Sequence, residues 1–174
     1  MKKHASNHAL GERPTDRDGT AGPYQWETYE QVGRDVARIG TAISQLNLGH
    51  SATISIFGIN SASWVKAMLA VWRQGHLCVP LYDTLGAEST SFILNDAQVR
   101  VVFCAAAKLQ QVVDVVGGTP VTTIIQFEPV SSEDRKKVRR EERGERGPRD
   151  RERETERQRQ RESVCVCACV FLPD

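Results

Sequence analysis

The chain has 174 residues, of which 40% are hydrophobic and 26% are charged, and its formal net charge is +1. This length suits a single domain, and the near-neutral balance argues against nucleic-acid binding as the main function. The sequence predicts no membrane-spanning segment, because it has no run that approaches the roughly 20 apolar residues needed to cross a bilayer.

Two different compositions are joined in this chain. Residues 1–132 hold 10 Lys+Arg and 11 Asp+Glu, whereas residues 133–163 hold 13 Lys+Arg and 10 Asp+Glu with almost nothing apolar among them. A segment of the second kind cannot bury enough apolar surface to offset the entropy lost on ordering. The sequence therefore predicts an extended lead-in over 1–22, an incomplete α/β subdomain over 23–132, and a disordered or solvated-helical low-complexity tail over 133–174.

The first predicted element is an amphipathic helix. Thr28 and Gln31 have capping-box spacing, and Gly49 is expected to end the helix. Between them, apolar residues recur in steps of 4, 3, 4 and 3 and so form one stripe. The stripe consists of Val32, Val36, Ile39, Ile43 and Leu46.

A strand over 52–58 comes next, and Asn60 or Ser61 then caps a second helix that Gly75 closes. The sequence LCVPLY at 77–82 predicts another strand. Its Pro80 lacks an N–H group, which favours an edge position or an irregular exit. The remaining predicted elements are a helix over 88–97, a strand over 99–104, a helix over 108–116 and a last strand over 121–127.

Strands that alternate with helices indicate βαβ units and a mostly parallel sheet, so the predicted fold class is α/β. In open sheets of this kind, ligands bind beyond the carboxyl ends of the strands. Gly58–Asn60 and Tyr82–Thr84 are the segments expected at such ends.

Motifs for catalysis are absent from the sequence. The first strand is followed by FGINSAS, which has one glycine, and the phosphate-loop pattern GxxxxGK followed by Ser or Thr does not occur. Asp83 and Thr84 could contact a ligand, but a plain turn is the favoured interpretation. Asp83 with Glu88 is weak support for acid–base chemistry, and the four histidines lack metal-ligand spacing. The sequence therefore identifies no catalytic, cofactor-binding or metal-binding residue.

The large aromatic residues and thiols have structural interpretations. Trp64 and Trp72 lie two helical turns apart and are predicted to be in the core. Cys78 and Cys104 lie in apolar runs and are interpreted as buried, reduced thiols of a cytosolic protein. The C-x-C-x-C spacing over 165–169 lacks a second ligand cluster, which disfavours a metal site.

The tail has a simpler possible origin. A GA repeat in DNA encodes Glu-Arg repeats, and a GT repeat encodes Val-Cys repeats. RERETERQRQRE and VCVCACV nearly match these two products. We hypothesise that residues from about 139 onward are translated simple-repeat DNA.

Several segments together resemble one protein family. These are LGER (10–13), DGTAGPYQWETYEQV (18–32), IFGINSASWVKAM (56–68), GHLCVPLYDTLGAESTSFILNDAQV (75–99) and TTIIQFEPVSSEDRKK (122–137). They occur in the order and spacing of the N-terminal part of eukaryotic long-chain fatty acyl-CoA synthetases, which are AMP-forming enzymes of the adenylate-forming superfamily. The resemblance covers about residues 9–138.

The resemblance implies a two-step ligase reaction. A fatty acid attacks the α-phosphate of ATP with Mg²⁺ present, and CoA then displaces AMP from the acyl-adenylate. The family's phosphate loop, nucleotide core and C-terminal lysine have no counterpart in this sequence, so no site residue is transferred. ATP, Mg²⁺ and CoA are thus expected cofactors of the parent family, and firm binding to this chain is not expected.

Three interpretations follow from the sequence. The leading one is an N-terminal fragment of a long-chain fatty acid–CoA ligase, inactive alone and prone to self-association through uncovered sheet surface. The alternatives are a non-catalytic interaction protein on the same scaffold and a nucleic-acid binder acting through the tail. The expected location is cytoplasmic, and the family resemblance also allows the endoplasmic reticulum surface or the peroxisome.

Overall fold

The computed structural model describes residues 2–16 and 18–129 and the backbone of residues 165–168. Within these residues, a short 3₁₀ turn at Lys2–His4 precedes seven strands and four helices. In chain order these are β1 (His8–Glu12), β2 (Gln25–Thr28), α1 (Tyr29–Gln45), β3 (Thr53–Phe57), α2 (Ala62–Arg73), β4 (Leu77–Leu81), α3 (Ala87–Asp96), β5 (Val101–Cys104), α4 (Ala106–Val116), β6 (Thr123–Gln126) and β7 (Cys165–Ala168).

The centre of the fold is a parallel sheet in the order β4-β3-β5-β6-β7. Every neighbouring pair in it is parallel, with Ile54 aligned on Val101 and Val102 aligned on Ile124. The four strands predicted from the sequence are all present, and the α/β fold class is confirmed. β1 and β2 form a separate antiparallel hairpin.

Helices cover both faces of the sheet. On one face, α1 and α2 pack on a cluster that includes Ile54, Ile56 and Phe103. On the other face, residues of α3 and α4 join a cluster with Phe57 and Val102. Strands β3, β5 and β6 are therefore buried on both sides, which explains their continuous apolar sequences.

The helix boundaries follow local chemistry. The capping box of α1 is confirmed, because the Gln31 N–H donates to Thr28 Oγ1 (3.3 Å) and the Thr28 N–H donates to Gln31 Oε1 (2.7 Å). The prediction that Gly49 ends α1 was wrong. The helix stops at Gln45, and Asn47 takes the positive φ of 49° that follows the C-cap. Asparagine tolerates this left-handed conformation, so the earlier polar residue ends the helix first.

Three strands, β1, β2 and β7, were not predicted from the sequence. β1 lies in the expected lead-in and pairs with β2 across an irregular step between His8 and Leu10. Its polar and glycine-containing sequence HALGE has little strand propensity, and it is stabilised by pairing with β2 and by packing of Ala9 and Leu10 against the core. β7 lies in the expected tail, and its backbone pairs with β6. The charged run of that tail lies outside the described residues.

The exposure of the sheet and of the two helix tryptophans differs in part from what the sequence predicted. The faces of the central strands are covered. Among the described residues the sheet has two edge strands, β4 and β7, and Pro80 lies in β4 as the sequence suggested. Trp64 packs against the core, but the prediction for Trp72 was wrong because its side chain is 55% exposed. Among the described residues, the longest helices are too short or too polar to cross a bilayer.

Helices α2 and α3 end in the same hydrogen-bond pattern but with different residues at the left-handed position. Gly75 (φ 73°) follows α2, and Gln98 (φ 50°) follows α3. In both, the next N–H bonds back into the last turn, from His76 to Val71 O (3.1 Å) and from Val99 to Leu94 O (3.0 Å). These are Schellman endings, in which glycine is the preferred residue.

Replacing Gln98 with glycine is expected to raise the free energy of unfolding by about 0.5 kcal/mol, because glycine adopts positive φ at lower cost. Part of the gain is offset by loss of the bond from Gln98 Nε2 to Asn95 O (2.8 Å). The matched change Gly75→Ala should lower the same quantity by about 1 kcal/mol. Urea denaturation measures both, and two changes of the same sign would contradict the account.

Candidate functional site

The carboxyl ends of the parallel strands meet at one edge of the sheet, where ligands bind in folds of this kind. Two backbone bonds hold this edge together: the Ala105 N–H donates to Phe57 O (3.0 Å) and the Phe127 N–H donates to Cys104 O (2.9 Å). Gly58 allows the close approach of the loops, because a Cβ there would lie 3.1 Å from the Cβ of Ala105. The predicted segments Gly58–Asn60 and Tyr82–Thr84 do lie at this edge.

The N-terminus of α2 opens at this edge, and the chain's own side chains satisfy its donors. Ser61, one of the two predicted caps, accepts from the Trp64 N–H at 3.2 Å. The carboxylate of Glu12 accepts from the Ala62 N–H. A carboxylate at this position also offsets the positive end of the helix dipole. The site that would favour an external anion is therefore already filled by a residue of the β1–β2 hairpin.

The N-terminus of α4 is filled in the same way. Glu128, just beyond β6, accepts from the Ala106 N–H through Oε2 at 2.7 Å. α3 begins at Gly86 without a side-chain cap, but Glu88 places a negative charge in its first turn. All three helix starts at this edge thus carry glutamate, which disfavours a phosphate there.

Asp83 and Thr84 form a turn, as the favoured interpretation predicted. The Leu85 N–H donates to Tyr82 O at 3.1 Å and closes the turn. The ammonium of Lys108 donates to the backbone carbonyl of Asp83 and lies 5.2 Å from the ring centroid of Phe57. Lys108 therefore ties the β4–α3 turn to α4. A lysine in the first turn of a helix opposes the dipole, and that signal could have identified it.

The sequence did not predict that Lys66 forms a buried ion cluster. Lys66, on α2, is only 8% exposed, and its Nζ lies 3.0 Å from both carboxylate oxygens of Glu27 and 3.0 Å from Oδ2 of Asp35. Burial alone would lower the pKa of Lys66, but hydrogen bonds and charge from Asp35 and Glu27 outweigh it and raise the pKa. The three residues join α2, β2 and α1, so the cluster is structural. A lysine within a mostly apolar helix was the available signal.

A recess lies between the hairpin and the start of α2. Its volume is about 560 Å³. Leu10, Pro14, Ile59 and Val65 provide apolar walls, and Asn60 provides a polar rim. The hairpin also carries a stack of exposed rings.

The stack runs along one face of the hairpin. The rings of His8 and Trp26 are parallel with centroids 5.0 Å apart, and Tyr24 lies 5.7 Å from Trp26. The guanidinium of Arg13 lies 5.5 Å from the Tyr24 ring and donates to the carbonyl of Gly22 at 3.0 Å. Gly11 lies under Trp26, since a Cβ there would come within 2.7 Å of the indole. Arg13 is thus committed to the hairpin itself.

The described thiols and histidines do not form a reactive group. Burial raises the pKa of Cys78, and burial together with the charge of Glu128 raises the pKa of Cys104 to about 12. Thiols with raised pKa are poor nucleophiles. Over the described residues, His, Cys, Asp and Glu do not cluster as metal ligands would. The side chains of the C-x-C-x-C run lie outside the described residues.

Comparison with known proteins gives a consistent result. The profile of the AMP-binding enzyme family matches residues 4–167. Long chain acyl-CoA synthetases 4 and 2 of Arabidopsis thaliana are 32% and 34% identical over 140 and 141 residues, which is 79% and 80% of this chain. The structure of the A-PCP didomain of carboxylic acid reductase from Segniliparus rugosus, in complex with AMP, superposes with a TM-score of 0.65 at 18% identity, covering 95% of this chain and 23% of that chain.

The chain spans about a fifth of the length of these relatives, 21% of each synthetase. The likeness to the reductase supports the fold alone. The family profile covers nearly the whole chain, from the hairpin to β7. This chain therefore belongs to the family of AMP-binding enzymes.

Proposed function

We propose that this chain is the N-terminal α/β part of a long-chain fatty acid–CoA ligase. In this role it supplies scaffold to the enzyme, while other parts of the protein carry the nucleotide chemistry. Identity above 30% to two plant long chain acyl-CoA synthetases favours this substrate class. ATP, Mg²⁺, CoA and a fatty acid would be the ligands of the whole enzyme, and the cytoplasmic location stays a prediction.

One observation carries the scaffold role. At the carboxyl edge of the sheet, the polar groups that could hold a triphosphate are used within the chain. Glu12 and Glu128 accept from the starts of α2 and α4, and Lys108 donates to Asp83 O. Adenylation develops negative charge on phosphate, which requires free donors and cations at that point. In the described residues these groups bond to other parts of the chain instead.

The first test is turnover by the purified 174-residue chain. We expect no pyrophosphate release above background with ATP, Mg²⁺ and palmitate. Long chain acyl-CoA synthetase 4 of Arabidopsis thaliana, assayed in parallel, is the positive control. Release at a rate comparable to that control would refute the scaffold role.

The second test places the chain in a complete enzyme. Residues 4–129 would replace the matching segment of the same Arabidopsis synthetase. We expect the chimera to keep long-chain activity, with Asp83→Asn and Glu88→Gln changing kcat less than about twofold because neither carboxylate takes part in chemistry. Lys66→Met in the chimera is the matched structural control and should reduce the yield of folded enzyme. A folded but inactive chimera would refute the proposed family role.

A further inference from the structure

Two strongly exposed apolar side chains lie at the carboxyl edge of the sheet. Tyr82, which is 78% exposed, directly follows β4, and Ile59, which is 68% exposed, lies two residues beyond β3. Phe57 aligns on Leu81 in the parallel ladder, so both side chains leave neighbouring strands at nearly the same level. Exposed apolar side chains that lie together mark an interaction surface, whereas single ones do not.

The recess beside α2 extends this apolar surface. Ile59 forms one of its walls together with Leu10, Pro14 and Val65, and its volume is about 560 Å³. At the centre of protein interfaces, side chains of one partner fill apolar pockets of the other. The edge therefore offers both a pocket that can accept apolar side chains and protruding side chains that can be covered.

The polar groups of this edge are paired within the chain. Glu12 and Glu128 accept from N–H groups at the starts of α2 and α4, and Lys108 donates to Asp83 O. Covering a paired polar group costs less than covering an unpaired one, which would lose its bonds to water without replacement. The edge therefore suits a protein surface as its occupant better than it suits an anion.

The length of the relatives supplies such an occupant. The chain spans 21% of each of the two Arabidopsis synthetases, so about four-fifths of such an enzyme lies outside the matched part. Because the sheet is parallel, β6 runs to the same edge as β3 and β4. In a longer relative with this sheet, the polypeptide that follows β6 therefore starts beside the exposed apolar side chains.

We propose that the apolar carboxyl edge, defined as Ile59, Tyr82 and the recess beside α2, is the surface on which the rest of the synthetase docks. This inference rests on the proposed function and names the face through which the scaffold acts. The apolar side chains supply the contact area, and the internally paired polar groups allow that contact to exclude water.

Thiol labelling tests which surface is covered. Ile59→Cys is compared with Leu77→Cys, because Leu77 is 57% exposed and lies at the opposite end of β4 from Tyr82. In the 174-residue chain, both introduced thiols should react readily with a maleimide. In the chimera that carries residues 4–129 within Arabidopsis synthetase 4, the reaction at Ile59→Cys should slow by at least about tenfold, and that at Leu77→Cys should change less than about twofold. Peptide mapping by mass spectrometry separates these thiols from the native ones.

The docking surface and the ligase role can fail separately in this experiment. If Ile59→Cys reacts equally fast in the chain and in an active chimera, the docking surface is overturned and the ligase role stands. If labelling is slow in a folded but inactive chimera, docking is supported and the ligase role is refuted. Equal slowing at Ile59→Cys and Leu77→Cys would overturn the assignment to the carboxyl edge.

A second measurement needs no chimera. The dye ANS reports exposed apolar surface, and Ile59→Asp combined with Tyr82→Asp should lower its fluorescence on the 174-residue chain by about threefold. Leu77→Asp is the matched control and should lower it by less than about 1.5-fold. Equal losses would overturn the proposal. Sedimentation velocity detects a second copy as occupant: a dimer that the double variant dissociates, with unchanged labelling in the chimera, would also overturn it.

Discussion

Replacing Lys66 with methionine is expected to lower the free energy of unfolding by about 3 kcal/mol, because removing one member of a buried ion cluster leaves the opposite charges uncompensated. The Lys66 Nζ lies 3.0 Å from a carboxylate oxygen of Glu27 and 3.0 Å from one of Asp35, and so holds the two acidic side chains in place. Their side chains are 32% and 35% exposed, so water reduces the cost to the lower end of the usual range. Urea denaturation at neutral pH measures the change from the midpoint at constant slope.

The cause is tested by removing the uncompensated charges. Lys66→Met combined with Glu27→Gln and Asp35→Asn should recover about half of the loss, since neutral amides cost less to bury than unpaired carboxylates. Glu30→Gln, which alters an exposed pair with Arg34, is a surface control and should have an effect below about 0.5 kcal/mol. A triple variant less stable than Lys66→Met alone would contradict the role given to the ion cluster.

The predictions that succeeded depend on chemistry within a few residues of chain. The stripe of α1 and its capping box lie within one helix, and each strand of the α/β unit is a continuous apolar run, so periodicity and composition locate them. The edge position of β4 follows from one proline.

The features that the sequence did not reveal join distant segments. Lys66 meets Asp35 and Glu27 at separations of 31 and 39 residues. Glu12 reaches the start of α2 across 50 residues, and Glu128 reaches α4 across 22. Such pairings are decided by tertiary packing, which local propensity does not encode. The candidate edge of the sheet could therefore be located from the sequence, but not the carboxylates that occupy it.

Alkaline pH is expected to destabilise the chain, and Cys104 is the main cause at the start of the transition. Its side chain is fully buried, and its pKa is raised from 9.0 to about 12 by burial and by the charge of Glu128. Between these values the folded chain retains a proton that the unfolded chain has lost. Stability therefore falls as pH rises from about 9 towards 12, by at most about 1.4 kcal/mol for each pH unit.

At higher pH, deprotonation of Lys66 lowers the stability of the folded chain further. Its pKa in the folded chain is raised above 10.5, so its stabilisation is fully present below that value and is lost as pH rises through the folded pKa. Below about pH 10.5, the slope of stability against pH therefore reports ionisation of Cys104 and not that of Lys66. Urea midpoints collected under reducing conditions between about pH 8 and pH 10.5 cover the window in which the thiols contribute and Lys66 does not, with Cys104 as the larger thiol contribution.

Cys104→Ala should make that slope shallower by about 1 kcal/mol for each pH unit, although the cavity it leaves lowers stability at every pH. Cys78→Ala is the matched control, because Cys78 is only half-buried and should flatten the slope less. The slope is the deciding quantity, since a cavity shifts the curve without tilting it. Parallel curves for the parent chain and Cys104→Ala would show that the Cys104 thiol does not resist ionisation, and that its burial at the end of β5 has no effect on its proton.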